Sequence, residues 1–191
     1  MTTCTLARIE AWQAKLLCRR YFTARFDSVS MRAAGVAGTP NFTVVWALGS
    51  LSDGVYEPLG SWLVSPADTD SWIRVAGDLC ARGLERITHL FVDETLPAVT
   101  GWSDVLTQFG PFLPMPPRRR GALSSFDDAA QRLHCLVRRS VARQGLFSGP
   151  QDAASFVAET LLRAENGPDT VEPLTSLAKS CRSAHRATDV F

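Results

Sequence analysis

Two aspartates stand out for where they fall. Asp27 lies within Tyr21-Phe-Thr-Ala-Arg-Phe-Asp-Ser-Val-Ser-Met-Arg32, a run that reads as a strand, and Asp93 closes the short apolar run Ile87-Thr-His-Leu-Phe-Val-Asp93. Two carboxylates held close repel, and one is neutralised unless a cation sits between them. Hard divalent ions such as Mg²⁺ or Mn²⁺ take oxygen ligands from one or two carboxylates and keep positions open for phosphate and water. Two such ions about 3.5–4 Å apart activate a nucleophile and stabilise the leaving oxygen in phosphodiester transfer. The plainer reading makes Asp27 a strand residue facing solvent or pairing with Arg25 or Arg32, and Asp93 an ordinary strand-end acid. Their joint placement is what sets the chemical reading beside the plain one.

To meet, the two acids need strands that run side by side. Residues 5–20 read as a helix, with Leu6, Ile9, Trp12, Leu16 and Leu17 near helical spacing. Residues 21–34, 41–51 and 55–64 read as three strands, with turns at Gly38-Thr-Pro-Asn41 and Ser52-Asp-Gly54. The second strand is nearly continuous in apolar residues, the pattern of burial on both faces. Ser65-Pro-Ala-Asp68 then offers an N-cap serine and a proline at the first helical position. Trp72, Val75, Ala76, Leu79 and Cys80 form one apolar helical face, which Gly83 can close in the left-handed conformation. A strand over 87–93 and a short helix over 102–109 follow.

Residues 110–121 are rich in proline, which removes backbone donors and excludes both a helix and a central strand. This marks a boundary. Two helices are expected beyond it, over 126–144 and 150–165, and then a weakly helical tail. The chain thus divides into a basic helix (1–20), a core (21–117) and a helical C-terminal region (118–191). The core order β-β-β-α-β-α is the plan of an α/β, ribonuclease H-like mixed sheet. In it a three-stranded meander is joined by a fourth strand, parallel to and beside the first. Asp27 and Asp93 would then converge.

The 191 residues carry 20 Lys/Arg and 19 Asp/Glu, so the net charge of +1 says little. The distribution says more. Residues 27–110 hold four arginines against ten acids, whereas 111–191 hold eleven Lys/Arg against eight acids. Arg118, Arg119 and Arg120, with Arg132, Arg139 and Arg143 on one stripe of a helix, are candidates for phosphate contacts. A solvated face is the plainer alternative. The five cysteines are scattered and form no Cys-x-x-Cys pair, as expected of buried reduced thiols in a cytoplasmic protein. Apolar runs reach only about five residues, far short of a membrane span. His89, His134 and His185 are dispersed. His89 is expected to be a satisfied core residue, and His134-Cys135 sits mid-helix, where neighbours face different ways.

The stretch from Tyr21 to Pro114 resembles the catalytic core of Mutator-type insertion-sequence transposases. Phe26-Asp-Ser-Val-Ser-Met-Arg32 is similar to that family's first strand, and Asp53-Gly-Val-Tyr-Glu-Pro-Leu-Gly60 to its third. The block from Trp72 through Arg82-Gly-Leu84 to Val92-Asp93 is similar to its helix and fourth strand. The resemblance implies a ribonuclease H-like fold with an Asp-Asp-Glu triad. Asp27 and Asp93 would be its first two acids, Mg²⁺ or Mn²⁺ its cofactor, and DNA its partner. Glu159 and Glu165, in the last clear helix, are the candidates for the third acid, although no surrounding motif singles out either. After Asp93 the chain departs from the family pattern. The expectation is therefore a shortened transposase relative that binds DNA and cleaves it little or not at all. A homo-oligomer is left open. The alternatives are a catalytically dead DNA- or protein-binding domain on the same fold, and an unrelated α/β interaction domain whose acids diverge.

Overall fold

The computed structural model describes residues 3–32, 42–65, 68, 70–92, 96, 102–111 and 121–166. Its elements are α1 (Thr3–Gln13), β1 (Arg20–Met31), β2 (Phe42–Ser50), β3 (Tyr56–Val64), α2 (Asp70–Ala81), β4 (Arg86–Val92), α3 (Trp102–Leu106), α4 (Gly121–Gln144) and α5 (Pro150–Asn166). The strands form one sheet in the order β3-β2-β1-β4. β1 and β2 are antiparallel, as are β2 and β3, while β4 runs parallel to β1. α2 provides the crossover that parallel pairing requires. This is the ribonuclease H-like mixed sheet expected from the element order.

Each face of the sheet is covered by helices. Trp72, Val75, Ala76 and Leu79 of α2 pack with Ala24, Phe26, Val45, Ala47, Leu59 and Leu90 on one face. Ile9 and Trp12 of α1, Phe126, Leu133 and Val137 of α4, and Val157 and Leu161 of α5 pack with Val44, Trp46, Leu48 and Phe91 on the other. β2 lies between these layers and is buried at every position, which accounts for its continuous apolar run.

Four local expectations are corrected. The described cysteines are free but not buried, with Cys4, Cys18 and Cys80 exposed and Cys135 half-buried. The first helix ends at Gln13 instead of continuing to residue 20, and Leu16 is 83% exposed. The backbone beyond the helix bonds to the rest of the fold. Arg82 Nε donates to Lys15 O (2.9 Å), Leu17 N to Arg82 O (2.8 Å), and Glu85 N to Arg19 O (2.9 Å). These bonds replace the helical ones. At the start of α2 the cap is Asp68, not Ser65. Its carboxylate accepts from Asp70 N (3.0 Å) and Ser71 Oγ (2.7 Å), and the Ser71 hydroxyl and Arg74 hold it below the usual carboxylate range. His89 is only half-buried. Its Nδ1 lacks a hydrogen-bond partner among the described residues, and its ring meets Phe22 edge-on at 4.9 Å.

Two glycines carry geometric requirements. Gly83 has φ +99° and closes α2 as expected. At Gly49 a Cβ would lie 2.7 Å from both Leu59 Cδ2 and Tyr21 Cδ1, so the Tyr21 ring packs where only glycine leaves room.

Candidate functional site: a buried arginine–carboxylate cluster

Asp27 sits within β1, opposite Trp46 of β2, and is 1% exposed. Alternation along the strand puts Arg25 and Asp27 on the same face. Both lie under α4. Arg25 Nε and Nη2 reach Asp27 Oδ1 at 3.1 and 3.0 Å. The same guanidinium extends Nη1 to Asp127 Oδ1 of α4 at 2.9 Å. His134 Nδ1 stands 3.3 Å from Asp27 Oδ1, a separation short enough for an ion pair but not aligned as a hydrogen bond. The imidazole lies against Trp46, with ring centroids 5.9 Å apart. One guanidinium therefore joins two carboxylates on different elements, all with side chains at most 11% exposed.

The local sequence explains the α4 half of the cluster. Phe126, Ala130, Leu133 and Val137 form the buried face of α4. Asp127 and His134 are two turns apart, so they share a face and stand inside that stripe. A charged residue within an apolar stripe must find a partner when buried. That is the sequence signal for Asp127, which is absent from the candidate residues named above; a polar imidazole in the same stripe is the signal for His134, named above only for its mid-helix place beside Cys135. Arg25 is a partner the sequence offers to Asp27, and the structure makes it one.

The remaining candidate residues divide by place. The β1–β4 register pairs Phe26 with Val92, so Asp27 lies at the level where β4 ends. Asp93 itself lies outside the described residues, as do Arg118, Arg119 and Arg120. Glu159 pairs with Arg163 along α5 at 2.6 Å. Glu165 accepts from Trp12 Nε1 (2.6 Å) and Lys15 Nζ (2.7 Å). Lys15 also reaches Glu57 at 3.4 Å, and Glu57 accepts from the Tyr21 hydroxyl at the start of β1. Glu165 thus belongs to a network that ties α1 and α5 to the sheet near Tyr21, and neither glutamate is a partner of Asp27. Arg132, Arg138, Arg139 and Arg143 are exposed on α4. An open cavity of about 420 Å³ lined by Glu85, Arg86 and residues 107–111 lies at the start of β4, the end away from Asp27.

Asp27, the described member of the expected pair, already carries a cation. A divalent ion needs carboxylate oxygens that are not already neutralised, and a guanidinium on Asp27 Oδ1 repels a second cation. Among the described residues there is no group of three or more His, Cys, Asp or Glu side chains that could hold a metal ion. No helix there is long and apolar enough to cross a membrane.

The four-stranded mixed sheet, with β4 parallel to β1, is that of a ribonuclease H-like core. The chain belongs to the Mutator family of transposases, whose family model matches residues 1–109. That match takes in all four strands and stops before α4. A probable transposase for an ISRM3-like insertion sequence element from Sinorhizobium fredii is 29% identical over 111 residues, 58% of this chain and 27% of that protein. The ISRM3 transposase of Rhizobium meliloti is 28% identical over the same shares. The chain thus covers 27% of the length of either curated relative. Among solved structures, the catalytic core domain of BIV integrase is similar at a TM-score of 0.44 and 12% identity, over 87% of this chain and 98% of that one.

Proposed function

We propose that this chain is a DNA-binding member of the Mutator transposase family that does not break DNA strands by itself. The observation that carries the reading is the C-terminal half of α4. From Gln131 to Gln144 it holds four exposed arginines and no acid, and among the described residues none of the four pairs with a carboxylate. Arg132, Arg139 and Arg143 recur at seven and four residues, which places them along one stripe. Arginines that neutralise phosphates release counterions, giving sequence-independent and salt-sensitive affinity. The helix dipole accounts for part of this basic bias, since cations are favoured in a last turn, but Arg132 lies about three turns from the end. Arg118, Arg119 and Arg120, outside the described residues, are further candidates for phosphate contacts. A homo-oligomer would present it twice. Acting on DNA accords with a cytoplasmic protein whose described cysteines, Cys4, Cys18, Cys80 and Cys135, are free.

A second reading is favoured by the parallel pairing of β1 with β4. In it Asp27 and Asp93 hold Mg²⁺ or Mn²⁺ for phosphodiester transfer, with Glu159 or Glu165 as the third acid. A gel-shift titration in salt, run beside a nicking assay in Mg²⁺ and in Mn²⁺, separates the two. The expected result is DNA binding that fades as salt rises, without nicking. Metal-dependent nicking lost in Asp27→Ala would establish the second reading. No binding even at low salt would point to a protein-interaction domain.

A further inference from the structure

The cluster around Asp27 draws two of its four members, Asp127 and His134, from α4, outside the residues that match the family model. Its charges are also arranged in a particular way. Arg25 presents Nε and Nη2 to Asp27 Oδ1 and, from Nη1, a further bond to Asp127 Oδ1. A planar guanidinium with five donors can serve two carboxylates at once, which a point charge does less well. It lies between two buried carboxylates, which would otherwise face each other without a counter-charge.

We propose that Arg25 is the resident cation of this site: it bridges Asp27 to Asp127, so that Asp27 takes no divalent ion and instead holds α4 on β1. Two arguments support this. The Arg25 side chain is 6% exposed, so moving it aside for a metal would leave a buried charge without its carboxylates, which is costly. Asp27 and Asp127 also meet on one donor group, with Nε and Nη2 on Asp27 Oδ1 and Nη1 on Asp127 Oδ1. The proposal stands apart from the DNA-binding reading, because salt-sensitive affinity for phosphates does not pass through Asp27.

A definite consequence follows for position 25. Taking the charge away while keeping polarity and approximate length, as in Arg25→Gln, leaves Asp27 and Asp127 buried without the cation that joins them. Asp27, Asp127 and His134 form no group that could hold a metal ion, so Mn²⁺ should not make good that loss. Asp127→Asn, added to Arg25→Gln, should, because it removes one of the stranded charges.

The test is thermal unfolding of the full chain with MnCl₂ or with EDTA. The parent and Asp27→Asn should each melt at the same temperature in both buffers. Arg25→Gln should melt below the parent in both buffers, and adding Asp127→Asn to it should raise the melting temperature again. A parental Mn²⁺ shift that Asp27→Asn abolishes overturns the proposal, and so does an Arg25→Gln that melts with the parent. A parental shift that Asp27→Asn retains arises elsewhere and supports it. If Arg25→Gln does not fold, the comparison of parent with Asp27→Asn decides. If Asp27→Asn does not fold, the combined set Arg25→Leu, Asp27→Asn and Asp127→Asn takes its place, since it strands no buried charge.

Discussion

Arg25 on β1 and Asp127 on α4 are 102 residues apart in sequence and 2.9 Å apart in space. The bond crosses from the sheet to a helix that lies beyond the proline-rich stretch. With Asp27 as the second carboxylate on the same guanidinium, it makes the docking of α4 electrostatic as well as apolar.

Breaking the cluster on one side should therefore be costly. Arg25→Ala leaves Asp27 and Asp127 buried without their cation, and a loss of about 3–5 kcal/mol is expected. The combined replacement of Arg25, Asp27 and Asp127 by uncharged side chains should recover most of that loss, because no charge is stranded. Urea unfolding of the two variants checks both halves. A single variant within about 0.5 kcal/mol of the parent, the range of ordinary surface changes, would mean the cluster contributes nothing.

The apolar face of α2 provides a second measurement. Trp72 is fully buried among Val75, Leu79 and the sheet. Trp72→Ala should cost about 3–5 kcal/mol in the same experiment. The indole Nε1 has no hydrogen-bond partner among the described residues, so the loss comes from packing.

Tyr21 should show a displaced titration. Burial first, and then its hydrogen bond to Glu57, raise the phenol well above its ordinary 10.0. A phenol raised in the folded state adds stability below the unfolded pKa of about 10. That contribution is lost as the pH climbs from there through the folded value. The difference in tyrosinate absorbance between the parent and Tyr21→Phe isolates this group. It should show no ionisation near pH 10 while the protein remains folded, and Tyr21→Phe should lose less stability than the parent above that pH. A normal titration in the difference spectrum would contradict the buried Tyr21–Glu57 pairing.

For DNA, the expected signature is the salt slope. Replacing Arg132, Arg139 and Arg143 together by Gln should reduce the slope of log K against log salt by about 3, roughly one for each phosphate no longer neutralised. Each single change should weaken binding uniformly across sequences. A triple variant with an unchanged slope would move the DNA-binding surface off α4.

Much of this molecule is legible in local pattern. Turn residues and strand-length apolar runs predict the meander. The spacing of Trp72, Val75 and Leu79 predicts the buried side of α2, and the element order predicts a fourth strand parallel to the first. These follow from periodicities of two and 3.6 residues, which a sequence displays directly. The surroundings of Asp27 are less accessible. Its neighbour Arg25 is in view two residues away, but Asp127 and His134 reach it from a helix about a hundred residues on. Glu165 offers an acid in a suitable helix, and the fold gives it to Lys15 and Trp12, about 150 residues distant. The end of α1 is likewise decided by Arg82 and Glu85, which take its backbone groups from across the chain. Buried charges are governed by which partners the finished packing brings within about 3 Å. Composition and spacing place the acid in its strand, and only the tertiary structure determines which cation it meets there.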